Sequence, residues 1–524
     1  GAAILERTDG RWSRLLEMHD SYYIASDVFF SYLVRNGCWW LRQHQKESDS
    51  FLRGAQEARR RIITGNFSSE IEAQFMEMLE YFGRSPIIVR SSSLLEDNFG
   101  NSFAGKYESV FCANQGSWQQ RLEDFIAAVK TIYASSISED ALAYRARRGL
   151  LDQDEQMGLL VQRVSGSQHG TMYYPHVAGV GFSHNVYAWS EDIDPEAGIL
   201  RMVFGLGTRA VDRMDDDYAR LVALNAPMRL PDATDDGVPA STQRQVDVID
   251  LQLNRLATKS FDDIIEHCPD VPVALFASRS QRAARAARQS GRPAPEAPLM
   301  LTFKDLLSKT DFAEDMRAML RILEEAYECP VDVEFTANIQ RDDTYKLNVV
   351  QCRPLQMRSS SHVGEILEDI PSDRRVLETG GPVLGRGRIE AIQRIIYVVP
   401  AAYADLSLRA KYSVARLIGK LVHADDQGMA EPTMLLGPGR WGTSTPSLGV
   451  TVSFQEIERV TFLCEIVEMG DHPVPEVSLG THFFSEMVEM DMLYMVLNPD
   501  DAGTYLNRLL LENAPNRLTS LAPE

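Results

Sequence analysis

The sequence is short of the features that mark secreted and membrane-spanning proteins. Its 524 residues include six cysteines, and no two of them form a CxxC pair or stand at the spacing of a metal site. Scattered cysteines are typical of a reducing compartment, so we expect a cytoplasmic protein. No apolar run approaches the roughly 18 residues of a membrane-spanning helix. The opening GAAILERTDGRW carries charge too early for a signal peptide.

Positive charge is also scarce. The chain has 53 Lys and Arg against 74 Asp and Glu, a net charge of −21. Such a chain repels nucleic acid and anionic membrane, so we expect neither as a partner. The dense basic run from Arg282 to Arg292 lies in AARAARQSGRPAPEAP, whose composition is typical of a surface loop. With 44% hydrophobic residues the chain is an ordinary globular protein of about two to four domains.

One polar stretch, SPIIVRSSSLLEDNFGNSFAGKYESV (85–110), is poorly explained by packing alone. Ile87 to Val89 predict a short buried strand that leads into Arg90. A guanidinium near a core needs an anionic partner, and the three serines that follow add hydroxyl and backbone donors. Two interpretations stay open: the loop binds an anion such as a polyphosphate, or Arg90 is tied to a structural carboxylate such as Glu96 or Asp97.

A second cluster of polar residues lies on a predicted hairpin. In VDVEF, Asp332 and Glu334 share one face of a strand, and in LNVVQCRPLQ, Gln351 and Arg353 share a face of the next. Two carboxylates on one face repel each other by a few kcal/mol, so a cation should lie between them. A salt-bridged hairpin in which Arg353 neutralises Glu334 is the structural alternative.

Both stretches resemble a known family. VRSSSLLEDNFGNSFAGKYES resembles the VRSS…ED…SFAG signature of the ATP-grasp nucleotide-binding domain in phosphoenolpyruvate synthase, pyruvate phosphate dikinase and rifampicin phosphotransferase. The hairpin resembles the DIEF…QxRP ending of the same domain. The resemblance implies an α+β fold of the ATP-grasp type, a two-lobed clamp that binds ATP and Mg²⁺, followed here by a smaller α/β domain.

The resemblance also implies roles for particular residues. Arg90, with Ser91 and Ser92 beside it, is expected at the ATP phosphates. Asp332 and Glu334 are the expected Mg²⁺ ligands, since oxygen donors suit that ion. Gln351 and Arg353 are expected to complete the site, which makes Arg90 and Arg353 the expected catalytic arginines.

Further candidates come from segments that lie near the nucleotide in the family. MGLLVQRVSG and AGVGFSHN place Gln162 and Ser183 beside the base, although both could be polar edges of buried strands. The GLG turn places Gly207 and Arg209 near the phosphates, although the acidic run 215–217 offers Arg209 ordinary salt-bridge partners. Relatives also carry a GGK loop whose lysine touches phosphate. The sequence opens with Gly-Ala-Ala, so it either starts just inside that loop or lacks the lysine.

We expect an ATP-grasp domain over 1–357, with lobes of roughly 1–205 and 206–357, and an α/β domain over 358–524. The segment 358–524 does not match the two domains that complete the relatives, a swivel domain with a TxH motif and a barrel. Its LLGPGRWGTSTPSLG loop is either an anion cradle or a tight turn. Thr481-His482 loosely resembles the family's phosphorylated Thr-x-His turn, so His482 is a candidate phosphoryl carrier, with a buried or capping histidine as the alternative.

Apolar spacing predicts helices over 70–81, 118–135 and 312–327, a strand over 450–454, and a helix that includes 492–494.

The predicted function is an ATP-dependent phosphotransferase that acts on a small-molecule or protein acceptor. One alternative is a non-catalytic ATP sensor that closes on a protein partner. Another is an ATP-grasp carboxylate–amine ligase. A homo-oligomer or a complex with a partner protein is compatible with each of them.

Overall fold

A computed structural model of the chain describes residues 2–8, 10–46, 51–96, 106–147, 149–185, 192–211, 217–230, 242–279, 299–342, 344–355, 370–371, 374–379, 383–384, 389–424, 431–443, 446–468, 487, 492–499 and 503–522. The helices are α1 (Ala2–Thr8), α2 (Gly10–Leu15), α3 (Ser26–Arg35), α4 (Trp39–His44), α5 (Ala55–Thr64), α6 (Ser69–Phe82), α7 (Trp118–Ser135), α8 (Glu139–Arg147), α9 (Thr208–Val211), α10 (Phe261–His267), α11 (Val273–Phe276), α12 (Lys304–Lys309), α13 (Phe312–Tyr327), α14 (Pro400–Ala404), α15 (Leu408–Val422), α16 (Phe454–Ile457), α17 (Arg508–Asn513) and α18 (Leu518–Leu521). The strands are β1 (Ser21–Ile24), β2 (Ile87–Ser93), β3 (Ser109–Cys112), β4 (Met157–Arg163), β5 (Ser167–His169), β6 (Met172–Tyr174), β7 (Val177–Phe182), β8 (Ile199–Val203), β9 (Arg220–Ala223), β10 (Gln245–Asp250), β11 (Arg255–Ser260), β12 (Ala277–Arg279), β13 (Leu299–Leu301), β14 (Val331–Ile339), β15 (Tyr345–Pro354), β16 (Leu377–Glu378), β17 (Val383–Leu384), β18 (Arg394–Tyr397), β19 (Thr433–Pro438), β20 (Arg440–Trp441), β21 (Gly449–Val450), β22 (Val460–Ile466), β23 (Leu493–Leu497) and β24 (Tyr505–Leu506). Helix and strand are mixed along the chain, as expected for an α+β protein. Among the described helices, none is long and apolar enough to cross a lipid bilayer.

The first sheet is antiparallel, with strand order β1-β4-β2-β3. Helices α6 and α7 share its hydrophobic core. The helix predicted over 70–81 is α6, which begins where the Ser68 hydroxyl accepts a hydrogen bond from the Ile71 amide. Its apolar residues recur at helical spacing and are buried: Phe75, Met78, Leu79 and Phe82. Both α7 and α13 lie where the sequence predicts them.

Two further sheets follow, a five-stranded antiparallel sheet of order β15-β14-β7-β8-β9 and a four-stranded sheet of order β11-β10-β6-β5. In the five-stranded sheet, β7 pairs with β14 on one side and with β8 on the other. Gly179 allows this close pairing, since a Cβ there would collide with the carbonyl oxygen of Arg201 on β8. Helix α13 covers one face of the five-stranded sheet.

The opposite face of the five-stranded sheet matters for function, and we call it the cleft face. Residues directly opposite one another on paired strands point to the same side. One row across the sheet therefore places on the cleft face Gln351, Glu334, Val180, Arg201 and Leu221. The next row places there Arg353, Asp332, Phe182 and Ile199.

The C-terminal part forms a further sheet of order β17-β23-β22-β19-β18, in which β18, β19, β22 and β23 run parallel. The helix predicted through 492–494 is wrong. Residues Leu493–Leu497 form β23, because an unbroken apolar run suits a strand that is buried on both faces. The strand predicted over 450–454 is shorter than expected, since Ser453 and Glu456 form a capping box that starts α16.

Candidate functional site

A cleft of about 950 Å³ opens between the first sheet and the cleft face of the five-stranded sheet. Ile88, Arg90 and Ser92 alternate along β2 and line the cleft, and so do Gln162 and Leu160 on β4. Ile88 lies opposite Gln162, Arg90 opposite Leu160, and Ser92 opposite Gly158. Arg90 therefore lies on the cleft, and all three serines of the SSS run, Ser91, Ser92 and Ser93, line it as well.

Arg90 connects the two walls of this cleft. Its Nη2 donates a hydrogen bond to Oε1 of Gln351 at 2.7 Å and lies 3.0 Å from Oε2 of Glu334. Both Arg90 and Glu334 are only partly buried, with side chains 18% and 27% exposed. The structural alternative, a bond from Arg90 to Glu96, does not form, because Glu96 accepts instead from the Ser91 hydroxyl and the Ser93 amide. Asp97 lies outside the described residues.

The hairpin presents its four polar groups together, as predicted. The register of β14 and β15 sets Asp332 opposite Arg353 and Glu334 opposite Gln351. Arg353 donates to Oδ2 of Asp332 through Nε at 2.9 Å and Nη2 at 2.8 Å. Arg353 thus pairs with Asp332 and Arg90 with Glu334, so each of the two carboxylates has a cationic partner.

Gln162 lines the cleft away from these arginines. Its Nε2 lies 3.4 Å from the Ser21 hydroxyl. Its Oε1 is buried and accepts no hydrogen bond from the part of the chain that the structure describes. A buried acceptor without a donor costs free energy, so this atom is suited to a ligand N–H group.

Other predicted residues lie elsewhere. Ser183 is buried, and its hydroxyl accepts from the Val331 amide at 2.9 Å, which places it in the sheet rather than on the cleft lining. Gly207 does line the cleft. Arg209 does not, because its Nη1 pairs with Asp217 at 2.7 Å and its Nε with Asp247 at 3.0 Å. Arg209 thus has the salt-bridge partners that the acidic run suggested. His482 lies outside the described residues.

A buried polar network behind β2 was missed from the sequence. The Glu155 carboxylate accepts hydrogen bonds from Ser93, Tyr107 and Arg145. Glu155 and Arg145 are almost completely buried. Burial lowers the pKa of Arg145, but Glu155 and Tyr107 raise it by more, and burial raises the pKa of Tyr107 well above its usual value. Ser93 and Tyr107 also line the cleft, so the network holds one wall in place.

The carboxylates allow a test of the fit for Mg²⁺. Within the described ranges, no three His, Cys, Asp or Glu side chains are grouped to hold a metal ion. Asp332 and Glu334 do offer oxygen donors on one face, which is the donor type that Mg²⁺ prefers. Two carboxylates fill only part of an octahedral shell. These residues therefore fit an ion that shares its remaining positions with water and a bound phosphate.

Several curated proteins are similar to this chain over part of its length. The chain is 27% identical over 330 residues to phosphoenolpyruvate synthase of Pseudomonas aeruginosa, a match that covers 61% of the chain and 33% of the relative. It is 25% identical over 348 residues to phosphoenolpyruvate synthase of Escherichia coli, covering 64% of the chain and 35% of the relative. It is 31% identical over 154 residues to the uncharacterized phosphotransferase YvkC of Bacillus subtilis, covering 29% of the chain and 16% of the relative.

The chain thus spans about a third or less of the length of these curated relatives. A family model described as "Pyruvate phosphate dikinase, AMP/ATP-binding domain" matches residues 3–374. The match includes both walls of the cleft, with Arg90 on one and the β14–β15 hairpin on the other. Since it covers more than half of the chain, this protein belongs to the pyruvate phosphate dikinase AMP/ATP-binding domain family.

Proposed function

We propose that the chain is an ATP-dependent phosphotransferase of the ATP-grasp type that binds Mg-ATP in the cleft between its two lobes. The observation that carries this proposal is the meeting of Arg90 with Glu334 and Gln351 across the cleft. The Arg90 guanidinium is partly exposed, and a ligand can replace its present partners. It can therefore bind a phosphate through the same pair of N–H donors that suits a carboxylate. Family membership, the relative named as a phosphotransferase and the relatives named as phosphoenolpyruvate synthase support the same activity.

The arginines would act by neutralising charge. Arg90 and Arg353 bind the ATP phosphates, where they stabilise the negative charge that is shared among the phosphoryl oxygens during transfer. When the phosphates replace the carboxylates as partners of the arginines, Asp332 and Glu334 become available to Mg²⁺. Asp332 and Glu334 would hold that ion, and it would supply positive charge that offsets the charge of the phosphates.

The other end of the cleft would hold the base. The Gln162 Oε1 lacks a donor among the described residues, and the exocyclic amine of adenine is a donor of the right kind. The SSS run would complete the site, since all three serines line the cleft and the Ser91 hydroxyl is oriented by its hydrogen bond to Glu96. Lobes that clamp ATP between two sheets fit the ATP-grasp architecture that the signature sequences imply.

The products of ATP test this function against its alternatives. The protein is incubated with Mg-ATP and a pool of metabolites, and the nucleotides are separated. A dikinase-type transfer gives AMP and phosphate, whereas a carboxylate–amine ligase gives ADP and phosphate in the presence of both its substrates. A sensor gives no turnover although it binds ATP, and that result would contradict the phosphotransferase proposal.

Replacing Glu334 with glutamine tests the role of the carboxylates. Glutamine keeps the shape and an acceptor for Arg90 but removes the charge that would hold Mg²⁺. We expect the affinity for ATP in the presence of Mg²⁺ to fall about 10- to 100-fold by calorimetry. Glu314→Gln, which makes the same change at an exposed position on α13, should leave the affinity unchanged. Equal affinities of Glu334→Gln and wild type would remove Glu334 from the site.

A further inference from the structure

His19, in the segment that leads into β1, lines the cleft but lies outside both signature stretches. Its side chain is 12% exposed. Its Nε2 atom is buried and has no hydrogen-bond partner in the part of the chain that the structure describes. A buried polar atom in this state costs free energy unless a ligand meets it. His19 is therefore a candidate binding residue that no sequence motif indicated.

His19 is a close neighbour of Gln162. The antiparallel pairing of β1 and β4 sets Ser21 opposite Gln162. The Arg163 amide donates to the Asp20 carbonyl at 3.1 Å, which continues this pairing by one residue. In this register His19 lies diagonally across from Gln162, and such neighbours are separated by about 7–8 Å. Since both side chains line the cleft, they border the same end of it.

The surroundings of His19 favour a neutral imidazole with its proton on Nε2. Burial lowers the pKa of His19 and Arg163 lowers it further, whereas Glu17 and Asp20 raise it. The Glu17 Oε2 atom lies 3.9 Å from Nε2, too far for a hydrogen bond, and accepts instead from the Asn338 amide at 3.2 Å. A carboxylate at this distance attracts the proton to the nearer nitrogen. Nε2 is therefore a donor that lacks an acceptor among the described residues.

Gln162 presents the complementary group beside this donor. Its Nε2 donates to the Ser21 hydroxyl at 3.4 Å, which leaves Oε1 as a buried acceptor without a donor in the described ranges. An amidine edge, which is an N–H group next to a bare ring nitrogen, satisfies both protein groups at once. Adenine has this edge at its 6-amino group and N1. A 6-oxopurine has the reverse arrangement and leaves both protein groups facing groups of their own kind.

We propose that His19 selects the base of the nucleotide by donating a hydrogen bond from Nε2 to N1 of adenine, while Gln162 accepts from the 6-amino group. This inference rests on the proposed function, because it needs the nucleotide in the cleft with its phosphates at Arg90. It adds a specificity to that function, since the pair accepts 6-aminopurines and rejects 6-oxopurines. Cytosine carries the same amidine edge at N3 and its 4-amino group.

Calorimetry of the full chain with Mg²⁺ tests the hydrogen bond from His19. The ligands are ATP, 1-deaza-ATP, in which a C–H group replaces N1, and inosine triphosphate, which has the 6-oxo edge. We expect the wild type to bind ATP about 10-fold more tightly than 1-deaza-ATP and about 100-fold more tightly than inosine triphosphate. CTP is titrated in parallel, and the tighter of ATP and CTP identifies the base that carries the amidine edge.

Two substitutions separate the hydrogen bond from the shape of the site. Glutamine places an amide N–H near the position of the histidine Nε2, whereas asparagine is too short to reach it. We expect His19→Gln to keep part of the preference for ATP over 1-deaza-ATP, and His19→Asn to bind the two ligands equally. His267→Asn makes the same change at an exposed position on α10 and should keep the full wild-type preference.

Equal affinities of the wild type for ATP and 1-deaza-ATP would overturn the proposal, and this measurement needs no variant to fold. A structural role for His19 would weaken both ligands equally in His19→Asn and leave their ratio at the wild-type value, which would overturn it as well. If ATP binds and only the ratio fails, the proposed function stands without His19. If no nucleotide binds, the proposed function fails together with this inference.

Discussion

Replacing Arg90 with methionine is expected to abolish the rise in melting temperature that Mg-ATP gives the wild-type protein. Methionine matches the length of the arginine stem and removes its charge. The loss of a charged partner from a desolvated phosphate costs about 2–5 kcal/mol, which corresponds to about 30- to 5,000-fold in affinity. Since the rise follows from mass action, it should disappear at ATP concentrations that saturate the wild type.

The same variant should fold almost normally without ATP. Arg90 is partly exposed and holds Glu334 and Gln351 only across an open cleft, so we expect the melting temperature to stay within about 3 °C of the wild type. Arg59→Met, which removes an exposed arginine from α5, controls for the substitution itself. A variant that is grossly unstable without ligand would show that Arg90 serves the structure and not the nucleotide.

Glu155→Gln is expected to destabilise the first lobe by about 3–5 kcal/mol. The substitution leaves the Arg145 guanidinium, fully buried, without its carboxylate, and an unpaired buried charge carries a penalty of that size. Urea unfolding measures the effect as a lower midpoint. Because Ser93 and Tyr107 lose the acceptor that holds them at the cleft, we expect ATP affinity to fall as well.

Glu57→Gln is the matched control for Glu155→Gln. Glu57 also pairs with arginines, Arg60 and Arg61, but at the surface, where ion pairs contribute little. Its midpoint should equal that of the wild type within error. If Glu155→Gln unfolds at the same urea concentration as Glu57→Gln, the buried network does not depend on the charge of Glu155.

Part of the site could be predicted because it is local. Alternation along a strand is enough to put Asp332 and Glu334 on one face, and the turn after β14 returns the chain so that Gln351 and Arg353 face them. Strand alternation does not reveal that Arg90 contacts this cluster of hairpin residues. Arg90 lies 261 residues from Gln351, and only the packing of two sheets brings them together.

Other predicted residues do not face the cleft, because a motif predicts where a residue lies in the chain but not where its side chain points. The GLG turn does reach the cleft with Gly207, but the next turn of chain points Arg209 toward two aspartates. Glu155 carried no signal, since two of its partners, Ser93 and Tyr107, lie 62 and 48 residues away in the chain. In the C-terminal part, the apolar residues 493–497 fit either a helix or a buried strand, and the parallel pairing with β22 decided between them.

Calorimetric titration of the wild-type protein with ATP, once with Mg²⁺ and once with EDTA, tests the central claim most directly. If the phosphates and the carboxylate pair share the ion, ATP binds to a single site in the presence of Mg²⁺, and the affinity falls sharply in EDTA. No binding heat in the presence of Mg²⁺, or the same affinity in EDTA, would contradict a Mg-ATP site between Arg90 and the Asp332–Glu334 pair.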